Sequence, residues 1–164
     1  MIKRDTWVNP APPNHSFSLW KGGVKAAASF FYIGYLPIMP GTYASLAGLL
    51  LAWFLRGTLL YWTLGFFAVG LFISKPAQEL FQNKDPQRFV LDEVCGMMLS
   101  VLWLPANLWI FLAGFLLFRL LDGLKPWPIY LLERSRSFWN IMADDVAAGL
   151  ITNFILQAFI RLAI

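Results

Sequence analysis

The chain is poor in the residues on which many catalytic centres depend. Among 164 residues there is one histidine, His15, and one cysteine, Cys95. A lone histidine in the Pro-rich stretch "VNPAPPNHS" leaves no Ser-His-Asp triad and no histidine nucleophile with a second histidine as acid. Cys95 is followed six residues later by Val101, where a cysteine-dependent phosphatase loop needs arginine, and no Asp-x-Asp occurs. A single cysteine also excludes an internal disulfide framework and a Cys-rich metal site. Charge is scarce too: 13% of residues are Asp, Glu, Lys or Arg, against about a quarter in an ordinary soluble domain. The net charge of +4 is small and gives no basis for a nucleic-acid partner.

Apolar residues are abundant, at 59%, with 17% aromatic residues and a mean hydropathy of +0.60. Residues 26–55, 57–74, 94–118 and 146–160 carry no charge. "PIMPGT" breaks the first run and "LPANL" the third, since proline interrupts a continuous helix. The pattern predicts an all-α, polytopic membrane protein with about five membrane helices, over 42–55, 59–74, 92–104, 107–122 and 145–162. Residues 26–36 are expected as a further interfacial or re-entrant helix. Residues 1–20 read as a flexible cytosolic arm without a cleavable signal peptide, and 21–164 as a single domain. Threading these helices puts eleven of the thirteen Lys and Arg residues at or near one side, leaving Arg56 and Arg161 on the other. The positive-inside rule makes the first side cytoplasmic. All nine acids fall there as well.

Six of those acids sit in three loop-to-helix junctions. "KDPQRFVLDEVCG" carries Asp85, Asp92 and Glu93, with Asp85-Pro86 read as a helix start and Asp92 seven residues on as returning to the same helical face. "FRLLDGLKPWPI" spaces Arg119, Asp122 and Lys125 at three-residue steps. "IMADDVAAGL" places Asp144 and Asp145 as the opening of the last helix. "DEVCG" and "DDVAAG" echo each other: two acids, a valine, small residues, then glycine. Gly96 and Ser100 extend one motif, and Gly149, Asn153 and Gln157 extend the other, as ridges for close helix packing. Capping and intrahelical ion pairs account for each motif taken singly. Convergence of all six acids would demand a cation, and an all-oxygen ligand set points to Mg²⁺ or Mn²⁺. Arg119 and Lys125 would suit a phosphate beside it. In "PGTYASLAG", the small-residue face Gly41, Ser45, Gly48 and Ala52 is predicted to pack, with the amides near Gly41 and Thr42 open to an anion. A small transporter with a carboxylate cation site is the alternative class.

Together, "PGTYASLAG", "DPQRFVLDEVCGMM", "FRLLDGLKPWPI" and "IMADDVAAGL" resemble the phosphatidylglycerophosphatase A family, in order over about residues 30–155. The resemblance implies a Mg²⁺-dependent enzyme of the bacterial inner membrane, facing the cytoplasm. It would convert phosphatidylglycerophosphate to phosphatidylglycerol. The catalytic acids it implies are Asp85, Asp92, Glu93, Asp122 and Asp145. Asp92, Glu93, Asp122, Asp144 and Asp145 would be the metal ligands, and Thr42, Arg119 and Lys125 would hold the phosphate. "YIGYLPIMP" and "RSFWNIMADD" depart from the family's usual glycine-rich loops.

Overall fold

A computed structural model describes residues 15–82, 87–127, 129 and 140–163. Among these the protein is all-helical: α1 (His15–Ala28), a three-residue 3-10 turn (Ile33–Tyr35), α2 (Pro40–Phe54), α3 (Leu59–Phe81), α4 (Leu91–Ser100), α5 (Leu108–Leu124) and α6 (Asn140–Ala163).

α4 is the centre of the bundle. All of its ten residues except Glu93 and Leu99 are buried, enclosed by α2, α3, α5 and α6. Small residues make this possible. Gly48 of α2 lies against the Val94 carbonyl, and Gly96 of α4 meets the Asp145 carbonyl and the Phe118 ring. Gly149 of α6 lies on the Gly96 carbonyl. A Cβ at any of these positions would force the helices apart. The predicted small-residue face of α2 is buried as expected, at Gly41, Ser45, Gly48 and Ala52.

These contacts also give direction. Asp92 faces Asp145, Gly96 faces Gly149, and Ser100 accepts a hydrogen bond from Asn153 at 3.2 Å, so α4 and α6 run parallel. α2 runs the same way, with Gly41 at Glu93 and Gly48 at Val94 and Met97. α5 runs opposite, with Gly114 at Val101 and Phe118 at Gly96. The starts of α2, α4 and α6 therefore share one end of the bundle with the close of α5. At the other end Trp53 meets Phe111, ring centroids 5.1 Å apart.

Several boundaries differ from expectation. α3 continues through Pro76 to Phe81. Ser74 Oγ donates to the Leu71 carbonyl at 2.9 Å, beside the backbone site that proline leaves without a donor. Residues 26–36 are not one helix. α1 begins at His15, inside the predicted arm, and ends at Ala28; Phe30, Phe31 and Tyr32 then adopt left-handed backbone with φ of 42°, 53° and 69°. Residues 1–14 of that arm lie outside the described residues. α4 starts only at Leu91, and residues 87–90 before it are not helical, so Asp92 does not continue a helix begun upstream of them. α6 starts at Asn140, five residues earlier than predicted, and its first turn holds no acid.

Among the described residues, two helices are long and apolar enough to cross a membrane, Leu59–Phe81 and Ile141–Leu162. The outer faces are apolar as well: on α5, Leu108, Leu112, Leu116, Leu120 and Leu124 recur every fourth residue, and all are exposed. A face of that kind in water would be an association hazard, whereas lipid accepts it.

Candidate active site

The parallel start of α4 and α6 brings the two echoing motifs together. Each acid pair lies one turn before the glycine that makes the helix crossing, so close packing at Gly96 and Gly149 holds the carboxylates in register. Asp92, Glu93 and Asp145 each offer an oxygen within 4.8 Å of the others. Asp92 and Asp145 are buried and Glu93 is half-buried. Asp122 reaches the cluster from the end of α5, within hydrogen-bonding range of Asp145 and close enough to act on Glu93. Asp144 acts on both Asp92 and Asp145. Five of the six predicted acids thus meet in one place; Asp85 lies outside the described residues.

Two cations border the cluster. Arg119 Nη1 donates to Asp122 Oδ2 at 2.6 Å, which is the predicted three-residue pair. Lys125 does not continue the helix. It closes α5 in a left-handed conformation, φ 42°, with its amide on the Leu121 carbonyl. Its ammonium crosses to Asp144 Oδ2 at 2.8 Å, nineteen positions along the chain. Pro126 follows, where a helix could not go on.

The simplest structural explanations cover only part of this. Asp92 Oδ1 accepts the Glu93 amide at 3.0 Å, so Asp92 satisfies one of the free amides in the first turn of α4. Asp144 and Asp145 stand in the second turn of α6, beyond the free amides that favour acids. Glu93 Oε2 and Asp144 Oδ1 are buried without a hydrogen-bond partner. Buried oxygens of this kind are costly unless something binds them. Several carboxylates in a dry volume repel one another, and a hard divalent cation with oxygen ligands removes both costs. The donor set fits a hard metal ion.

At the start of α2 the arrangement is narrower than expected. The Thr42 amide is used on the Met39 carbonyl at 3.0 Å, which leaves its hydroxyl as the unbonded group. Gly41 is pressed against the Glu93 carboxylate and the Arg119 guanidinium rather than open to an anion. The sequence marks Gly41 as a packing residue and a possible anion site; its contact with Glu93 shows that α2 also shapes the acidic cluster. A further feature had no sequence signal: the Tyr35 ring gathers Lys25 and Arg88, at 4.8 Å and 4.7 Å from its centroid.

The fold and cluster define a helical, membrane-type protein with a buried carboxylate centre at one end. Residues 26–160 match the phosphatidylglycerophosphatase A family, and the chain belongs to it. It is 37% identical to phosphatidylglycerophosphatase A of Escherichia coli over 77% of each chain. It is 34% identical to the Haemophilus influenzae protein of the same name, over 73% of this chain and 78% of that one. A Bacteroides thetaiotaomicron protein provisionally named a phosphatidylinositol-3-phosphatase is 33% identical, over 80% of this chain and 89% of its own. No solved structure matches the chain.

Proposed function

We propose that this protein hydrolyses the terminal phosphomonoester of phosphatidylglycerophosphate, yielding phosphatidylglycerol and inorganic phosphate, with Mg²⁺ as cofactor. The observation that carries the proposal is the convergence of Asp92, Glu93 and Asp145 within 4.8 Å. Family membership supports the substrate.

Asp92, Glu93 and Asp145 would hold Mg²⁺, with Asp122 and Asp144 completing or orienting the ligand set. Bound there, the ion would supply Lewis-acid stabilisation of phosphoryl oxygens. The protein's own groups do the rest. Arg119 and Lys125, already poised on Asp122 and Asp144, neutralise the phosphoryl oxygens, and the Thr42 hydroxyl donates to one of them. Glu93 Oε2, buried and unbonded, orients the attacking water and accepts its proton, a role Asp85 would share. The water oxygen bonds to phosphorus, the bond from phosphorus to the glycerol oxygen breaks, and the proton passes to that oxygen to give the alcohol.

We read α2, α3, α5 and α6 as membrane-crossing, and α4 as a fifth embedded helix shielded from lipid by the others. The 29–39 segment lies at headgroup depth. The cluster end faces the cytoplasm of a bacterial inner membrane, which places the carboxylates where a lipid headgroup can reach them while its acyl chains stay in the bilayer.

The test is phosphate release from phosphatidylglycerophosphate in detergent, with Mg²⁺ or EDTA, for the wild type and D92N. Release that stops in EDTA, returns with Mg²⁺ and is absent in folded D92N is expected. Undiminished release in EDTA would remove the metal role, and no release under any condition would remove the reaction.

A further inference from the structure

Outside the acidic cluster, the strongest grouping of charge is on Tyr35. Lys25 Nζ and Arg88 Cζ lie 4.8 Å and 4.7 Å from its ring centroid, so the two cations are no more than about 9.5 Å apart. Neither has an acidic partner among the described residues. Like charges held this close repel, and a ring face offsets only part of that. An anion would complete the arrangement.

The three residues come from separate stretches that the backbone locks together. Gly34 packs directly on the Arg88 carbonyl, where no Cβ would fit. The Val90 amide donates to the Ala28 carbonyl at 2.9 Å, joining the end of α1 to the approach to α4. Arg88 precedes Asp92 by four residues, so their backbones are at most about 14 Å apart. Next to the ring, Phe31, Tyr32, Leu36, Ile38 and Met39 are exposed, the apolar rim expected of a segment at a membrane surface.

We propose that Lys25 and Arg88, gathered on Tyr35, bind the phosphodiester of the lipid substrate, one glycerol away from the phosphate that is removed. The inference rests on the lipid phosphatase reading above. That substrate carries two phosphates. Arg119 and Lys125 serve the monoester at the acidic cluster, which leaves the diester anion without a partner there. A cation pair whose Arg88 lies four residues ahead of Asp92, within reach of a long arginine side chain and a three-carbon linker, supplies one. The site selects a phosphomonoester borne on a headgroup that is itself joined to the lipid by a phosphodiester.

The experiment uses the full chain in detergent and two readouts. The first is equilibrium binding of phosphatidylglycerol, which keeps the diester and lacks the monoester. The second is the split of KM and kcat for phosphatidylglycerophosphate. K25Q and R88Q are each expected to weaken phosphatidylglycerol binding roughly tenfold, the scale of one charge-assisted contact, with R88K retaining most of it. KM should rise by a similar factor while kcat changes less than about twofold, because the diester is held equally before and during the reaction. Y35L, which removes the platform and keeps both charges, should shift KM in the same direction. Binding and KM both unchanged in K25Q and R88Q would overturn the proposal. So would lost phosphatidylglycerol binding with an unchanged KM, which would assign the cations to a neighbouring bulk lipid. A wild type that binds phosphatidylglycerol through these residues yet releases no phosphate would sink the phosphatase reading and uphold the diester site.

Discussion

Replacing Gly96 or Gly149 by alanine should disable the site without touching a charged residue. At Gly96 a Cβ would stand 2.6 Å from the Asp145 carbonyl and 2.7 Å from the Phe118 ring. An ordinary contact begins at 3.4 Å, so α4 and α6 must part by about 0.8 Å there. At Gly149 the Cβ would press on the Gly96 carbonyl even more closely. Both obstacles include backbone, so no rotamer change relieves them. Overpacking of this kind costs about 1–3 kcal/mol. The larger effect is geometric, because Asp92 and Asp145 lie one turn from the crossing and must share an ion. A misplacement of about 1 Å costs on the order of 100-fold in rate.

The assay is phosphate release across a Mg²⁺ titration, read beside the thermal midpoint in the same detergent. G149A and G96A should lose about 10- to 100-fold in kcat/KM and require more Mg²⁺ for half-maximal rate. G65A, in α3 where a Cβ meets nothing within 4 Å, is the control; it should keep its activity and gain up to about 1 kcal/mol of stability. Full activity and an unshifted Mg²⁺ midpoint in G149A would show that the crossing does not set the carboxylate geometry.

Other outcomes follow from single contacts. K125M removes the 2.8 Å partner of Asp144 and strands a buried carboxylate. It should lower stability by about 1–3 kcal/mol and phosphate release by tenfold or more, with K125R recovering part of both; an unchanged melting midpoint would contradict this. N153L removes the donor to the Ser100 and Leu102 carbonyls, 3.2 Å and 2.8 Å away, and should cost about 1–3 kcal/mol in chemical denaturation, with little shift in the Mg²⁺ midpoint. T42V keeps the shape of a side chain whose hydroxyl has no partner. It should leave the fold intact and reduce kcat/KM by roughly tenfold, which steady-state kinetics would show.

Much of the site was legible before the fold was seen because its parts are local. The acid pairs of "DEVCG" and "DDVAAG" precede a glycine by a fixed helical turn, and that spacing survives into the crossing of α4 and α6. Arg119 and Asp122 pair as their three-residue step predicts. Legibility failed where tertiary contacts overrule local signals. The uncharged run predicts a helix ending at residue 74, yet packing of Ile73, Ser74 and Ala77 into the core carries α3 on through Pro76 to Phe81. Acids favour helix starts, so Asp144 and Asp145 predict that α6 begins there; Asn140 to Ala143 offer no comparable cue. The left-handed run from Phe30 to Tyr32 contains no glycine to announce it. The meeting of Lys25, Tyr35 and Arg88 joins residues up to 63 positions apart, and no periodicity encodes it.

The course of polar groups through the bundle separates the two classes of function the sequence left open. A cation carrier needs ligands on both sides of the acidic cluster, with a polar route between. Beyond the acids, two side chains of α6 close off α4 instead: Asn153 Nδ2 donates to the Ser100 and Leu102 carbonyls, and Gln157 Nε2 donates to Asn153 Oδ1 at 2.8 Å. This closes the C-terminal end of α4, whose carbonyls have no helical donor of their own. Around it Met97, Met98, Val101, Phe111 and Phe118 are fully or almost fully buried, an apolar plug between the cluster and the far end. An ion held by Asp92 and Asp145 would have to leave by the end from which it came. Such a one-ended site suits a reaction in which a headgroup docks, loses phosphate and departs. In proteoliposomes it should give phosphate release without Mg²⁺ flux, and a flux tracking the acidic residues would reverse this reading.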